Sequence, residues 1–241
     1  MKKTHEFLNS YAINQSFDYG EFLENGTASD CIIVLPDGKK VSAHRTILCQ
    51  SSTFLFNAFT SGMQEDSKRE VSISFDPGGQ FINLLNYFYT GEIQINEQNV
   101  LQLIEITHFY GVHNLYCFLV NVYLNEILSP SNIFEYVDKC FDMELNESLR
   151  TLEPHLARYY CNIPLSTFSE KLDISTFCHV LSLAIQNGSF SGDVIAELNL
   201  FMNGAIPDEK QEESLNSLVF SFGRNSSQKP CWGRSDKRKS H

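Results

Sequence analysis

The period of the apolar residues changes once along this chain, near residue 128, and that change narrows the possible folds more than any other feature. Before it, apolar and β-branched residues cluster or alternate over four or five positions, as strands do, between longer helix-like stretches. CIIVL (31–35), PDG and KKVS read in order as a strand, a turn and a returning strand, a small hairpin. VSISF (71–75) alternates as a further strand, and EIQI (92–95) is a short extended run. AHRTILCQ and STFLFNAF read as two short helices, with Ser52 placed to cap the second. Asp76-Pro77 reads as an N-cap and first-turn proline for the helix FINLLNYFYT, which Gly91 stops. Asn96 opens a helix that ends at Gly111, and Asn114 opens another through Ile127.

After a second cap-and-proline signal at Ser129-Pro130 the spacing is helical throughout. It runs Ile133, Phe134, Val137, then Leu145, Leu149, Leu152, Leu156, then Phe177, Val180, Leu181, Ala184. Asn187-Gly188 closes that helix, Val194 to Met202 forms one more, and a final weak helix follows Pro207. The fold class expected is therefore α+β over residues 20–127, a small mixed sheet covered by helices, followed by an all-α region over 128–202. Residues 1–19 form an N-terminal segment, 203–223 a weak helical region, and 224–241 a basic tail without periodicity, read as disordered.

Charge is divided unevenly. Residues 1–223 carry net −16 and residues 224–241 net +5, so the body repels nucleic acid and only the tail could attract it. The longest unbroken apolar run, Leu115 to Val120, is far short of the roughly 20 residues of a membrane helix. Lys2 and Lys3 imitate the start of a signal peptide, but Thr4, His5, Glu6, Asn9 and Ser10 interrupt any apolar segment behind them. The expectation is a cytoplasmic chain, with the nucleus also open to it. The seven cysteines are an odd number without C-x-x-C spacing and are read as reduced thiols. The four sequons, at Asn25, Asn146, Asn187 and Asn225, carry no weight in such a chain.

Asp30 opening a strand, then V-S-A-H-R-T-I-L (41–48), Ser52 before an aromatic helix, LLNYFYTGEI (84–93) and NVLQLIEITHFYGVHNL (99–115) together resemble a BTB/POZ domain over about residues 20–127. The helical stretch from about 128 to 202 resembles, more loosely, a BACK domain. Leu55 and Ala58 stand where the family more often has Phe and Met or Leu, and Thr107 where it commonly has Ala. These are changes in core packing. The resemblance implies a homodimer, with Asp30 and Arg45 as a charged pair in the floor of the dimer interface and His44 as a structural residue. It also implies a cullin-3 type scaffold as partner. Within AFTSGMQEDSKRE (58–70), Met63-Gln64-Glu65 is similar to the hydrophobic-x-Glu motif of cullin-binding members, a Met filling an apolar pocket and a Glu facing a helix N-terminus. Phe59 and Tyr110 fall where the family builds the adjoining surface. In the family a separate domain holds the client protein. No such domain is read here, so either the BACK-like surface and tail recognise an unknown client or the chain is a dimerising scaffold that pairs with longer relatives.

Sharper chemistries fit these residues less well. His44 beside Asp30 could be a base and its orienting carboxylate, but catalysis wants a nucleophile and a cleft as well. His108, His113 and Cys117 invite zinc, yet Gly111 interrupts the register between the two histidines and a fourth ligand is missing. Gly78-Gly79 sits between a strand and a helix as phosphate loops do, without G-x-G-x-x-G or G-K-[ST]. Lys237-Arg238-Lys239 is read as solvated charge. The expected function is a non-enzymatic interaction module, an adaptor subunit of a cullin-3 type ubiquitin ligase, or alternatively a dimerisation scaffold or transcriptional co-regulator adaptor. No cofactor and no metal are expected.

Overall fold

The computed structural model describes the backbone of residues 5–8 and, in full, residues 19–61, 68–202 and 208–222. The chain divides into two compact units, Met1–Ile127 with Leu145–Ser148, and Leu128–Glu144 with Leu149–His241. The architecture is α+β, a small mixed sheet with helices in the first unit and helices throughout the described part of the second.

In the first unit, β1 (His5–Leu8) precedes α1 (Gly20–Asn25), and β2 (Cys31–Val34) returns antiparallel as β3 (Lys40–Ala43) with Cys31 opposite Ala43 and Val34 opposite Lys40. β4 (Glu70–Ser72) lies parallel to β2 on its other side, Ile33 opposite Val71, giving the order β3-β2-β4. Alternation decides which face is buried: Cys31, Ile33 and Val71 point into the core. β5 (Glu92–Ile95) pairs antiparallel with β1, a partner the N-terminal segment was not expected to supply.

The helices follow the sequence signals with two local departures. α2 (Arg45–Ser51) and α3 (Thr53–Thr60) are separated by Ser52 alone. Ahead of α4 (Phe81–Thr90), Pro77–Gly79 forms a single 3-10 turn and not the first turn of the helix, because Gly78 takes φ +66°. Asp76 still caps α4, its Oδ1 accepting the Phe81 N–H at 2.8 Å. Gly91, at φ +76°, ends α4 as a left-handed cap. α5 (Val100–Phe109) begins later than Asn96, because Asn96 and Asn99 first close a turn in which each side chain accepts the other's main-chain N–H. α6 (His113–Phe118) runs through a π-helical stretch, Leu119–Tyr123, into α7 (Leu124–Ile127).

In the second unit, α8 (Ile133–Asp142) starts behind a turn in which Asn132 Oδ1 accepts the Ser129 N–H at 2.7 Å, so Asn132 and not Ser129 stands at its N-cap position. α9 (Asn146–Arg158), whose first turn belongs to the first unit, contains Pro154. α10 (Leu165–Lys171), α11 (Ile174–Gln186), α12 (Val194–Met202) and α13 (Glu209–Phe222) follow. Their core is aromatic: Phe177 stacks on Phe201 at 3.8 Å between centroids, and Tyr160 on Phe168 at 5.1 Å. Asp173 caps α11 by accepting the Thr176 N–H at 3.0 Å. Among the described residues no helix is long and apolar enough to cross a membrane. The expectation of a disordered tail falls on residues outside those described.

Candidate protein-interaction face

α3 is set against the end of α5 by one serine. Ser52 Oγ accepts the Leu55 N–H at 3.1 Å, as an N-cap should, and donates to the Tyr110 carbonyl at 2.6 Å. Behind this contact Gly111 takes φ +65°, and a Cβ there would come within 1.9 Å of Thr53 Oγ1. Only glycine lets the two helix ends approach so closely.

That approach assembles a group of aromatic rings. Tyr110 is buried, its hydroxyl donating to the Phe75 carbonyl at 2.9 Å, and burial pushes its pKa up to about 12. Over it lie Phe54 and Phe109, 5.1 and 5.0 Å from its ring and 5.6 Å from each other, with Phe75 4.7 Å from Phe109. Phe54 and Phe109 are 38% and 44% exposed, and Phe56, further along α3, 51%. Two large apolar rings are thus left partly facing water over one buried tyrosine.

Phe59 and Tyr110 are each 1% exposed, so they form the packed layer beneath a surface and not the surface itself. The rings that face solvent are Phe54, Phe56 and Phe109. Met63 and Glu65 lie outside the described residues.

Asp30 and Arg45 come together at the start of α2. Asp30 Oδ1 accepts the main-chain N–H of Arg45, the first residue of α2, at 2.8 Å. Asp30 thus caps a helix whose own N-cap residue, His44, supplies no side-chain acceptor. The Arg45 guanidinium donates to the Phe59 carbonyl at 2.5 Å and lies 5.3 Å from the centre of the Phe59 ring. One arginine therefore ties α2 to the far end of α3.

His44 is held on both sides. Its Nε2 is 2.8 Å from the Thr27 carbonyl, which can only accept, so Nε2 carries the hydrogen. In the neutral ring Nδ1 then accepts from the Tyr89 hydroxyl at 2.9 Å, while that hydroxyl accepts the His44 main-chain N–H at 2.9 Å. Burial, with the Asp30 carboxylate adding and Arg45 opposing, pushes the nearby Cys31 thiol up to about 12.

The candidate zinc residues are engaged separately. His108 Nε2 lies 3.8 Å from Glu147 Oε1, which also accepts the Tyr116 hydroxyl at 2.7 Å, whereas His113 and Cys117 are exposed. Among the described residues no three His, Cys, Asp or Glu side chains converge as a metal site would require.

Residues 19–123 match the family model of the BTB/POZ domain. The first unit contains a BTB/POZ domain. Curated relatives are similar to the chain in sequence: Kelch repeat and BTB domain-containing protein 8 of Xenopus tropicalis is 28% identical over 52% of this chain and 21% of its own length. Kelch-like protein 40b of Danio rerio is 30% identical over 46% of this chain and 18% of its own. The chain thus spans about a fifth of the length of these relatives. Among solved structures, the BTB domain of human gigaxonin aligns at 18% identity and a TM-score of 0.36, covering 42% of this chain and 80% of that one.

Proposed function

We propose that the chain is a homodimeric adaptor whose BTB/POZ domain docks on a cullin-3 type scaffold of a ubiquitin ligase, acting by binding and not by catalysis. The observation that carries this reading is the exposed ring group of Phe54 and Phe109 over the buried Tyr110. Met63 and Glu65 lie in the stretch of sequence that follows α3. The second unit is read as BACK-like, and it or the tail would hold a client protein, with the cytoplasm or nucleus as the setting. Dimerisation is assigned to the side of the domain formed by α1 and the start of α2. Phe22 is 42% exposed there, its ring 6.0 Å from His44, and a second copy would cover it.

Calorimetry against a cullin-3 N-terminal fragment tests the reading. Truncating an interface anchor commonly costs at least about 2 kcal/mol, so Met63→Ala with Glu65→Ala is expected to weaken binding more than about tenfold. Light scattering of the same variant is expected to return the dimer mass. If the unaltered chain is dimeric and does not bind the fragment, the dimerisation scaffold or co-regulator adaptor takes the place of the ligase adaptor.

A further inference from the structure

The end of α8 carries a second exposed apolar feature, set among carboxylates and outside the BTB/POZ domain. Phe141, Asp142, Met143 and Glu144 are consecutive and all exposed, the two apolar side chains by 42% and 41%. The turn they make is held without glycine. Glu144 takes φ +56° at the left-handed position that follows a helix end, its N–H 3.3 Å from the Phe141 carbonyl, and the Met143 N–H reaches the Lys139 carbonyl at 3.1 Å. Glu135 is exposed on the same helix, and Asp138 bonds Lys171 at 2.7 Å. Lys139, the cation within α8, lies 5.0 Å from the centre of the Tyr136 ring. An occupant suited to this turn brings an aromatic side chain with a cation on either side.

The chain itself contains such a sequence. Residues 224–241 carry net +5, and the single tryptophan stands between two bases in Lys229-Pro-Cys-Trp232-Gly-Arg234. We propose that this C-terminal segment docks on the Phe141–Glu144 turn, with Trp232 against Phe141 and Met143 and with Lys229 and Arg234 facing Asp142 and Glu144. Trp232 stands ten residues beyond the end of α13 at Phe222. Ten residues extend to at most about 33–36 Å. That reach suffices for a domain of roughly a hundred residues, whose radius of gyration is about 13 Å. Tethering supplies an effective concentration on the order of millimolar, so a weak contact is enough to keep the site occupied. A partner of the same chemistry, an aromatic-basic peptide, would have to displace the tail.

Because Trp232 is the only tryptophan, its fluorescence in the full chain reports docking directly. The emission maximum is expected to the blue of that of a synthetic peptide of residues 224–241, and to move toward the peptide value at about 1 M salt, where charges are screened beyond about 3 Å. Phe141→Ser with Met143→Ser, and separately Asp142→Asn with Glu144→Gln, are expected to give the peptide value while circular dichroism stays unchanged. The difference should persist on dilution. An emission equal to the peptide's in the unaltered chain, or a blue shift that survives both pairs of substitutions, overturns the proposal. A blue shift lost on dilution overturns it too, because the tail then docks on another copy.

Discussion

The two units treat their polar side chains differently. In the first, Ser52, Asp30, Asp76, Asn96 and the buried Glu105 all bind main-chain N–H groups, Glu105 reaching that of Ser148 at 2.8 Å. The second uses the same device at Asn132 and Asp173, and in addition holds buried ionisable side chains that pair with more exposed ones or stand alone. Glu153 Oε2 is 2.5 Å from His179 Nδ1, the Tyr160 hydroxyl donates to Glu197 at 2.7 Å, and the buried Nδ1 of His155 has no hydrogen-bond partner among the described residues. The first arrangement fixes where helices begin and how their ends meet. The second places titratable groups inside a helical core, where their charge state bears on stability.

The largest effect that would sharpen this contrast comes from the aromatic core of the second unit. Phe177 is fully buried against Phe201, so Phe177→Ala is expected to cost about 3–5 kcal/mol in urea unfolding. Unfolding of the BTB/POZ domain at the same denaturant concentration as before would show that the two units hold separately. A joint loss would break the contrast.

Next in size is the close approach in the first unit. Gly111→Ala combines a positive φ with a clash at Thr53 and is expected to destabilise by about 1–3 kcal/mol. Adding Thr53→Ala removes the clash and should recover part of that loss but not the part due to φ. Full recovery would mean that the left-handed conformation costs nothing there.

The smallest effect is a pH dependence confined to the second unit. Burial, with Arg158 adding, lowers the His155 pKa from 6.5. The unfolded chain then takes up a proton before the folded one does, so the stability this neutral ring contributes is present above about pH 6.5 and is lost as pH falls toward the lowered folded value. Glu153 acts oppositely: burial raises it from 4.5 despite His179, so its contribution is present at acid pH and is lost as pH rises through the raised value. His155→Phe is therefore expected to flatten the fall in Tm between pH 7 and pH 5.5, measured by thermal melts against the unaltered chain. An unchanged slope would remove His155 as the cause.

What could be read from the sequence follows the same division. Ser52 and Gly91 act within four residues of the element they cap or end, and so were legible. β1 was not, because four residues, His5–Leu8, are too few to show alternation and their partner lies at Glu92–Ile95. The exposed rings were not legible for a related reason. STFLFNAF has apolar residues on every side of the helix, and only the packing of α3 on Tyr110 decides that Phe59 is buried while Phe54 and Phe56 face outward. The pairs Glu153 with His179 and Tyr160 with Glu197 are 26 and 37 residues apart and leave no local pattern to find.

The proposed docking face is tested most directly by amide hydrogen exchange of the full chain with and without a cullin-3 N-terminal fragment. The account predicts new protection over α3 and the end of α5, residues 53–60 and 105–112, with the second unit unchanged. Protection confined to the second unit, or none at all with the fragment in excess, would contradict it.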